Sequence, residues 1–240
     1  VRVLTGAASA VLVYLLRPTP IKPNQVTFLS LLVSLLCCAA LLFCPGRTGL
    51  VAAAALLYFA FVLDCTDGQL ARIKGQTSTV GSYLDFLMDE IKAVTLIAAA
   101  AARLAMTGTP SLWPGIDGSI FWLGLGLCGV VTAASGISLT TFMRRPEYFE
   151  AVTGQKGVRV PGFTKFQEPV APVARSPLQQ LVRLPVRLLE EVGKLVMHYP
   201  AWFYIPALLG HLEWFVVPYL AAHALYLGRS GLIVLVKLGR

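Results

Sequence analysis

From Val26 to Leu63 the chain carries a single charged residue, Arg47, and one Pro-Gly break at residues 45 and 46 in an otherwise apolar run. If lipid is the solvent for such a run, its backbone N–H and C=O groups must be satisfied within the segment, and helices are the form that achieves this. About 20 residues cross a hydrocarbon core. The first span therefore covers about Val26 to Cys44. The second covers about Gly49 to Leu63 and continues helically into a polar stretch that begins at Asp64. A third span is expected from about Ser82 to Met106, then a turn-rich loop, TGTPSLWPGIDGS, and a fourth span from about Ile120 to Met143. Met197 to Leu238 is long enough for two more, with Gly210-His211-Leu212-Glu213 as the turn. Only 13% of the residues are charged, 56% are apolar and the mean hydropathy is +0.71, whereas a soluble domain has about one quarter charged residues. The expected fold is an all-α integral membrane protein of six transmembrane helices.

Two segments lie outside the spans. Residues 1–20, with RVLTGAASAVLVYLL followed by Arg17-Pro18-Thr19-Pro20, are too short for a comfortable crossing and read as an interfacial amphipathic helix. Residues 144–195 form a polar loop ending in SPLQQLVRLPVRLLEEVGKLV, whose Leu and Val positions with interspersed charges suit a helix lying on the membrane surface. The whole of 1–240 reads as one membrane domain. VRVLTGAASA lacks a convincing signal-peptide cleavage pattern, so Val1 reads as a trimmed or alternative start.

The basic residues test this topology. Arg2, Arg17, Lys22, Arg72, Lys74, those from Arg144 to Lys194, Lys237 and Arg240 fall on one side, and the other keeps Arg47, with Arg103 near a span end. By the positive-inside rule both termini and the stretch after Asp64 face the cytoplasm, in the cell membrane. Topology thus accounts for the formal charge of +8, and no aromatic-basic module points to nucleic acid. Anionic lipid headgroups or phosphorylated substrates suit it better. Cys37, Cys38, Cys44, Cys65 and Cys128 lack metal-site spacing and read as free thiols packed like small apolar groups.

The polar stretch, DCTDGQLARIKGQTSTVGSYLDFLMD, places four aspartates at the junction of two spans, where an unpaired charge is costly. Asp64 and Asp67 are three apart, Asp85 and Asp89 four apart, so each pair shares a helical face. Facing carboxylates repel one another, and a divalent cation relieves them. Mg2+ or Mn2+ suits an all-oxygen site, and Mg2+ is commonly shared with substrate phosphates. Gly68 and Gly81 allow a ligand to approach the backbone, Gly75 can end the helix, and Arg72 offers a fork to a phosphate. Lys74 reads as a headgroup anchor or a substrate contact, and Ser78 as a cap for the next helix or a nucleotide contact. Lys92 shares the face of Asp89 and could bind an anionic acceptor or pair with Asp89 or Glu90; Arg144 and Arg145 could form a phosphate pocket or anchor headgroups. His198 reads as a structural histidine. Gly124, Gly126 and Gly129 suit close helix packing, within the chain or in a homodimer.

Asp64-x2-Asp67-Gly68-x2-Ala71-Arg72-x8-Gly81-x3-Asp85-x3-Asp89 matches the signature of the CDP-alcohol phosphotransferase family at every fixed position, and Lys22-Pro23-Asn24-Gln25-Val26-Thr27 resembles that family's approach to the first span. The resemblance covers about residues 15–145. It implies a Mg- or Mn-dependent transferase of phospholipid biosynthesis that moves the phosphate-linked alcohol of a CDP-alcohol to an acceptor hydroxyl and releases CMP. It further implies that Asp64, Asp67 and Asp85 hold the metal, two ions in all, with Asp89 as general base that also completes the metal site. Gly68, Ala71, Arg72 and Gly81 would lie near the nucleotide. The donor is expected to be CDP-diacylglycerol or an ether analogue, and the acceptor an inositol phosphate or another polyol phosphate. Family members using such acceptors commonly carry Arg or Lys after the last aspartate, where this chain has Glu90. A second reading has a soluble donor such as CDP-inositol. A third, a divalent-cation transporter, predicts acids at matching depths in several spans, whereas the intramembrane carboxylates cluster on one side with only Glu213 near the other.

Overall fold

The structure, a computed structural model, describes residues 2–143, 145–153, 192, 193, 196 and 198–238, and the regular structure among them is helical. The helices are α1 (Arg2–Leu16), α2 (Pro23–Phe43), α3 (Gly46–Ile73), α4 (Thr79–Met106), α5 (Gly118–Met143), α6 (Pro146–Thr153), α7 (Tyr204–Leu209) and α8 (Glu213–Leu238), with a 3₁₀ turn at Tyr199–Ala201. α2, α3, α4 and α5 each start two or three residues before the span expected from hydropathy. Pro23 begins α2, a position where its missing N–H has no partner to lose. Asp117 caps α5, its Oδ1 accepting from the backbone N–H groups of Ser119 and Ile120 at 2.9 and 3.2 Å.

Among the described residues four helices, α2, α3, α5 and α8, are long and apolar enough to cross a membrane. α4 has the length, at 28 residues, but carries Asp85, Asp89, Glu90, Lys92 and Arg103. Of the region expected to hold the fifth span, the described part is the 3₁₀ turn and the six-residue α7; at roughly 1.5 Å per residue α7 alone is too short to cross. The turn expected before the last span is present. Gly210 takes a φ of +83° there, and α8 follows from Glu213, running through Pro218. Arg144, the amphipathic segment up to residue 191 and Lys194 lie outside the described residues.

α2 packs against α3 and α4, α4 against α5, and α5 against α8, while α1 lies along α3. The core gathers Leu41, Leu57, Leu96, Ile97, Trp122 and Phe215 from five of these helices. Large apolar side chains also cover the outside. On α2, Phe28, Leu29, Leu32, Leu35 and Leu36 form one exposed stripe, while Thr27, Ser30 and Ser34 are buried on the other. This sorting suits a helix with lipid on one side and protein on the other, since small residues let helix backbones approach.

The close approach of α4 and α5 follows from glycine. A Cβ at Gly126 would lie 2.5 Å from the Cβ of Ala101, and one at Gly129 would lie 2.6 Å from Cδ1 of Ile97. Gly124, by contrast, faces open space. Arg103, 6% exposed, ties α4 to the end of α2 by donating to the carbonyls of Leu41, Cys44 and Gly46 at 2.9, 2.5 and 2.7 Å. All five cysteines are free.

Candidate active site

The site forms where α3 ends and α4 begins. α3 continues past Leu63 because nothing in DCTDGQLARI breaks it, and it stops at a Schellman turn. There Gly75 takes a φ of +63°, its N–H donates to Arg72 O at 3.3 Å and that of Gln76 to Ala71 O at 2.9 Å. Lys74, at the cap, donates to the carbonyls of Thr19 and Ile21 at 2.7 Å each, and so fastens the segment leading into α2 against the end of α3. α4 opens with Ser78 as N-cap, its Oγ accepting from the N–H of Gly81 at 2.9 Å. Both residues thus have structural partners.

These ends bring the acids together. One carboxylate oxygen from each of Asp64, Asp67 and Asp85 lies within 4.8 Å of the others. Three carboxylates at that spacing, from two helices, form an all-oxygen donor set that fits Mg2+ or Mn2+. Asp67, 5% exposed, is held from α2, where Thr27 Oγ1 donates to its Oδ2 at 2.5 Å. Asp89 stands outside this group. Its Oδ1 lies 2.8 Å from the ammonium of Lys92, which also donates to Asp64 Oδ1 at 2.6 Å and to Ser30 Oγ at 3.2 Å.

Two cavities flank the acids, Asp67 and Asp85 lining one and Asp64 and Asp89 the other. One, of about 400 Å³, is lined by Asp67, Asp85, Gly68, Ala71, Arg72 and Gly81, together with Asn24 and Thr27 of α2. The four positions that the signature associates with the nucleotide therefore share one cavity with two of the acids. At Gly68 the nearest atom to an added Cβ would be NH1 of Arg72 at 3.7 Å, so this wall is open. At Gly81 a Cβ would meet Ser78 Oγ at 3.0 Å and Asn24 Oδ1 at 3.3 Å, so glycine there lets α2 and the α4 cap close together. The second cavity, of about 210 Å³, is lined by Asp64, Asp89, Lys92, Phe61, His198 and Tyr199 among others. His198 meets the ring of Phe61 edge-on at 5.5 Å.

Of the residues considered for an anionic acceptor, Lys92 is buried in ion pairs with two carboxylates. Arg145 is exposed between α5 and α6 and is not among the described lining residues of either cavity. Ser30 and Tyr199 escape a reading of the sequence. Ser30 looks like one more small residue in a span, although its place three residues after Thr27 on one helical face is a signal, and Tyr199 reaches the site only through the path of the chain.

A protein-family model described as CDP-alcohol phosphatidyltransferase matches residues 21–167. Over 100 residues the chain is 32% identical to a protein of Archaeoglobus fulgidus named Bifunctional IPC transferase and DIPP synthase. The matched stretch is 42% of this chain and 19% of that protein, so the chain spans about a fifth of the relative's length.

Proposed function

From the premise that this chain belongs to the CDP-alcohol phosphatidyltransferase family, we propose that it transfers the phosphate-linked alcohol of a CDP-activated lipid to an acceptor hydroxyl and releases CMP. The observation that carries the reading is the convergence of Asp64, Asp67 and Asp85, with Asp67 and Asp85 lining one cavity and Asp64 the other. In this reading the larger cavity takes the nucleotide and diphosphate, with Arg72 forking a phosphate oxygen and Gly68, Ala71 and Gly81 leaving room for the nucleotide. Asp64, Asp67 and Asp85 hold Mg2+ or Mn2+, which when bound offsets the diphosphate charge and steadies CMP as a leaving group. The acceptor oxygen attacks the phosphorus that carries the alcohol, the bond to the CMP oxygen breaks, and the hydroxyl proton passes to Asp89. That side chain is 48% exposed and lines the second cavity.

A lipid donor is favoured by the exposed apolar stripe of α2, which starts at Phe28, next to Thr27 in the larger cavity. Arg17, Lys22, Arg72 and Lys74 cluster in sequence around the site and their excess supports a cytoplasmic active site, while Arg2, Lys237 and Arg240 support termini on that same side. A polyol phosphate is the first acceptor to assay.

Protein purified in lipid, with Mn2+ and CDP-diacylglycerol, is expected to release CMP only when the acceptor is present, and chelation abolishes the release until Mn2+ or Mg2+ is restored. Asp89→Asn should slow release by about 10² to 10⁴-fold. Release at the wild-type rate in that variant would remove Asp89 as base. Equal turnover of lipid-free CDP-inositol would move the donor to the soluble class.

A further inference from the structure

Lys92 is the one lysine or arginine among the described residues of the second cavity's lining, and it bridges two of the acids, Asp64 and Asp89. Its side chain is 4% exposed, against 20% for Asp64 and 48% for Asp89. An ammonium has three donors, and each has an acceptor here: Asp64 Oδ1 at 2.6 Å, Asp89 Oδ1 at 2.8 Å and Ser30 Oγ at 3.2 Å. Ser30 is itself fixed, its hydroxyl donating to Ala60 O at 2.8 Å, so the oxygen it offers to Lys92 is held by the α3 backbone. The lysine is therefore aimed by three helices: α4 carries it, α3 supplies Asp64, and α2 supplies Ser30.

The acids divide accordingly. Asp64, Asp67 and Asp85 bring their oxygens within 4.8 Å of one another, and Asp89 is not in that group. Asp64 belongs to both arrangements. We propose that Lys92 is a tethered cation that occupies the Asp64 and Asp89 end of the cluster, confining the divalent ion to Asp64, Asp67 and Asp85 and holding Asp89 uncoordinated at the mouth of the second cavity. Lys92 is thus a positioning residue for Asp89, and the chain binds one divalent ion, not two, before the donor arrives. This rests on the reading of the acids as a divalent-cation site.

The test counts Mn2+ on the purified full chain by electron paramagnetic resonance of the free ion, with no nucleotide present. Wild type should bind one ion. Lys92→Met, which keeps the length and removes the charge, should bind a second or hold the first at least about tenfold more tightly, because a positive charge has left the carboxylates. Wild-type count and affinity in Lys92→Met would overturn the proposal, as would two ions on the wild type. Should Lys92→Met fail to fold, a second pair decides. Asp89→Asn should stay within about fivefold of wild-type Mn2+ affinity while Asp85→Asn loses at least about a hundredfold; equal losses would make Asp89 a ligand and overturn it. Because no donor is present, absent CMP release with these Mn2+ results intact would refute the proposed reaction alone, and a wild type that binds no Mn2+ would refute both.

Discussion

Thr27 Oγ1 lies 2.5 Å from Asp67 Oδ2 and 3.3 Å from the carbonyl of Pro23, so one hydroxyl orients a carboxylate that is 5% exposed. A hydrogen bond to a buried charged group contributes about 1.5 to 3 kcal/mol, and removing the donor leaves the charge uncompensated. Thr27→Val, equal in shape, is expected to weaken Mn2+ binding and CMP release by about ten- to a hundredfold, with Thr27→Ser restoring most of both; titration of Mn2+ against rate measures it. Thr27 was visible in the sequence as the end of Pro-Asn-x-Val-Thr, and the aspartates were visible by their spacing. What the sequence left open was which residue answers which acid. Lys92 could have turned to Asp89, to Glu90 or to an acceptor, and Asp64 and Ser30, 28 and 62 positions away in the chain, settle it.

α2 and α4 act as rigid carriers, and Arg103 fastens their far ends. A helix leaves its last carbonyls without partners, and in an apolar setting those carbonyls need a donor. Arg103 supplies one guanidinium to two of them at the end of α2, Leu41 and Cys44, and to the carbonyl of Gly46, the first residue of α3. Arg103→Met is expected to lower stability by about 2 to 4 kcal/mol, read as an earlier thermal or denaturant midpoint in detergent, while Mn2+ affinity falls little, since the acids lie at the opposite end of α4. Helix limits were legible because Pro23, Pro45, Gly75 and Ser78 punctuate the chain. The role of Arg103 was not, since a basic residue near a span end reads equally well as a headgroup anchor.

Across the whole molecule, the row from α3 through α2, α4 and α5 to α8 holds the site only if α4 stays seated between its neighbours. Gly126 and Gly129 are the seat. Gly126→Leu is expected to cost about 1 to 3 kcal/mol by overpacking against Ala101 and to reduce CMP release as Asp85 and Asp89 shift, whereas Gly124→Leu, which faces open space, should match wild type in both; thermal unfolding and rate on the same samples decide. The sequence alone determined that the chain is helical and membrane-embedded, that four acids share two helical faces, and that small residues surround them, because hydropathy and the helical period are local properties of the chain. Only the tertiary structure decided that the acids divide into a group of three and a lysine-bound fourth, with a cavity on each side. That division depends on distances between helices, which packing sets and which no spacing along one helix contains.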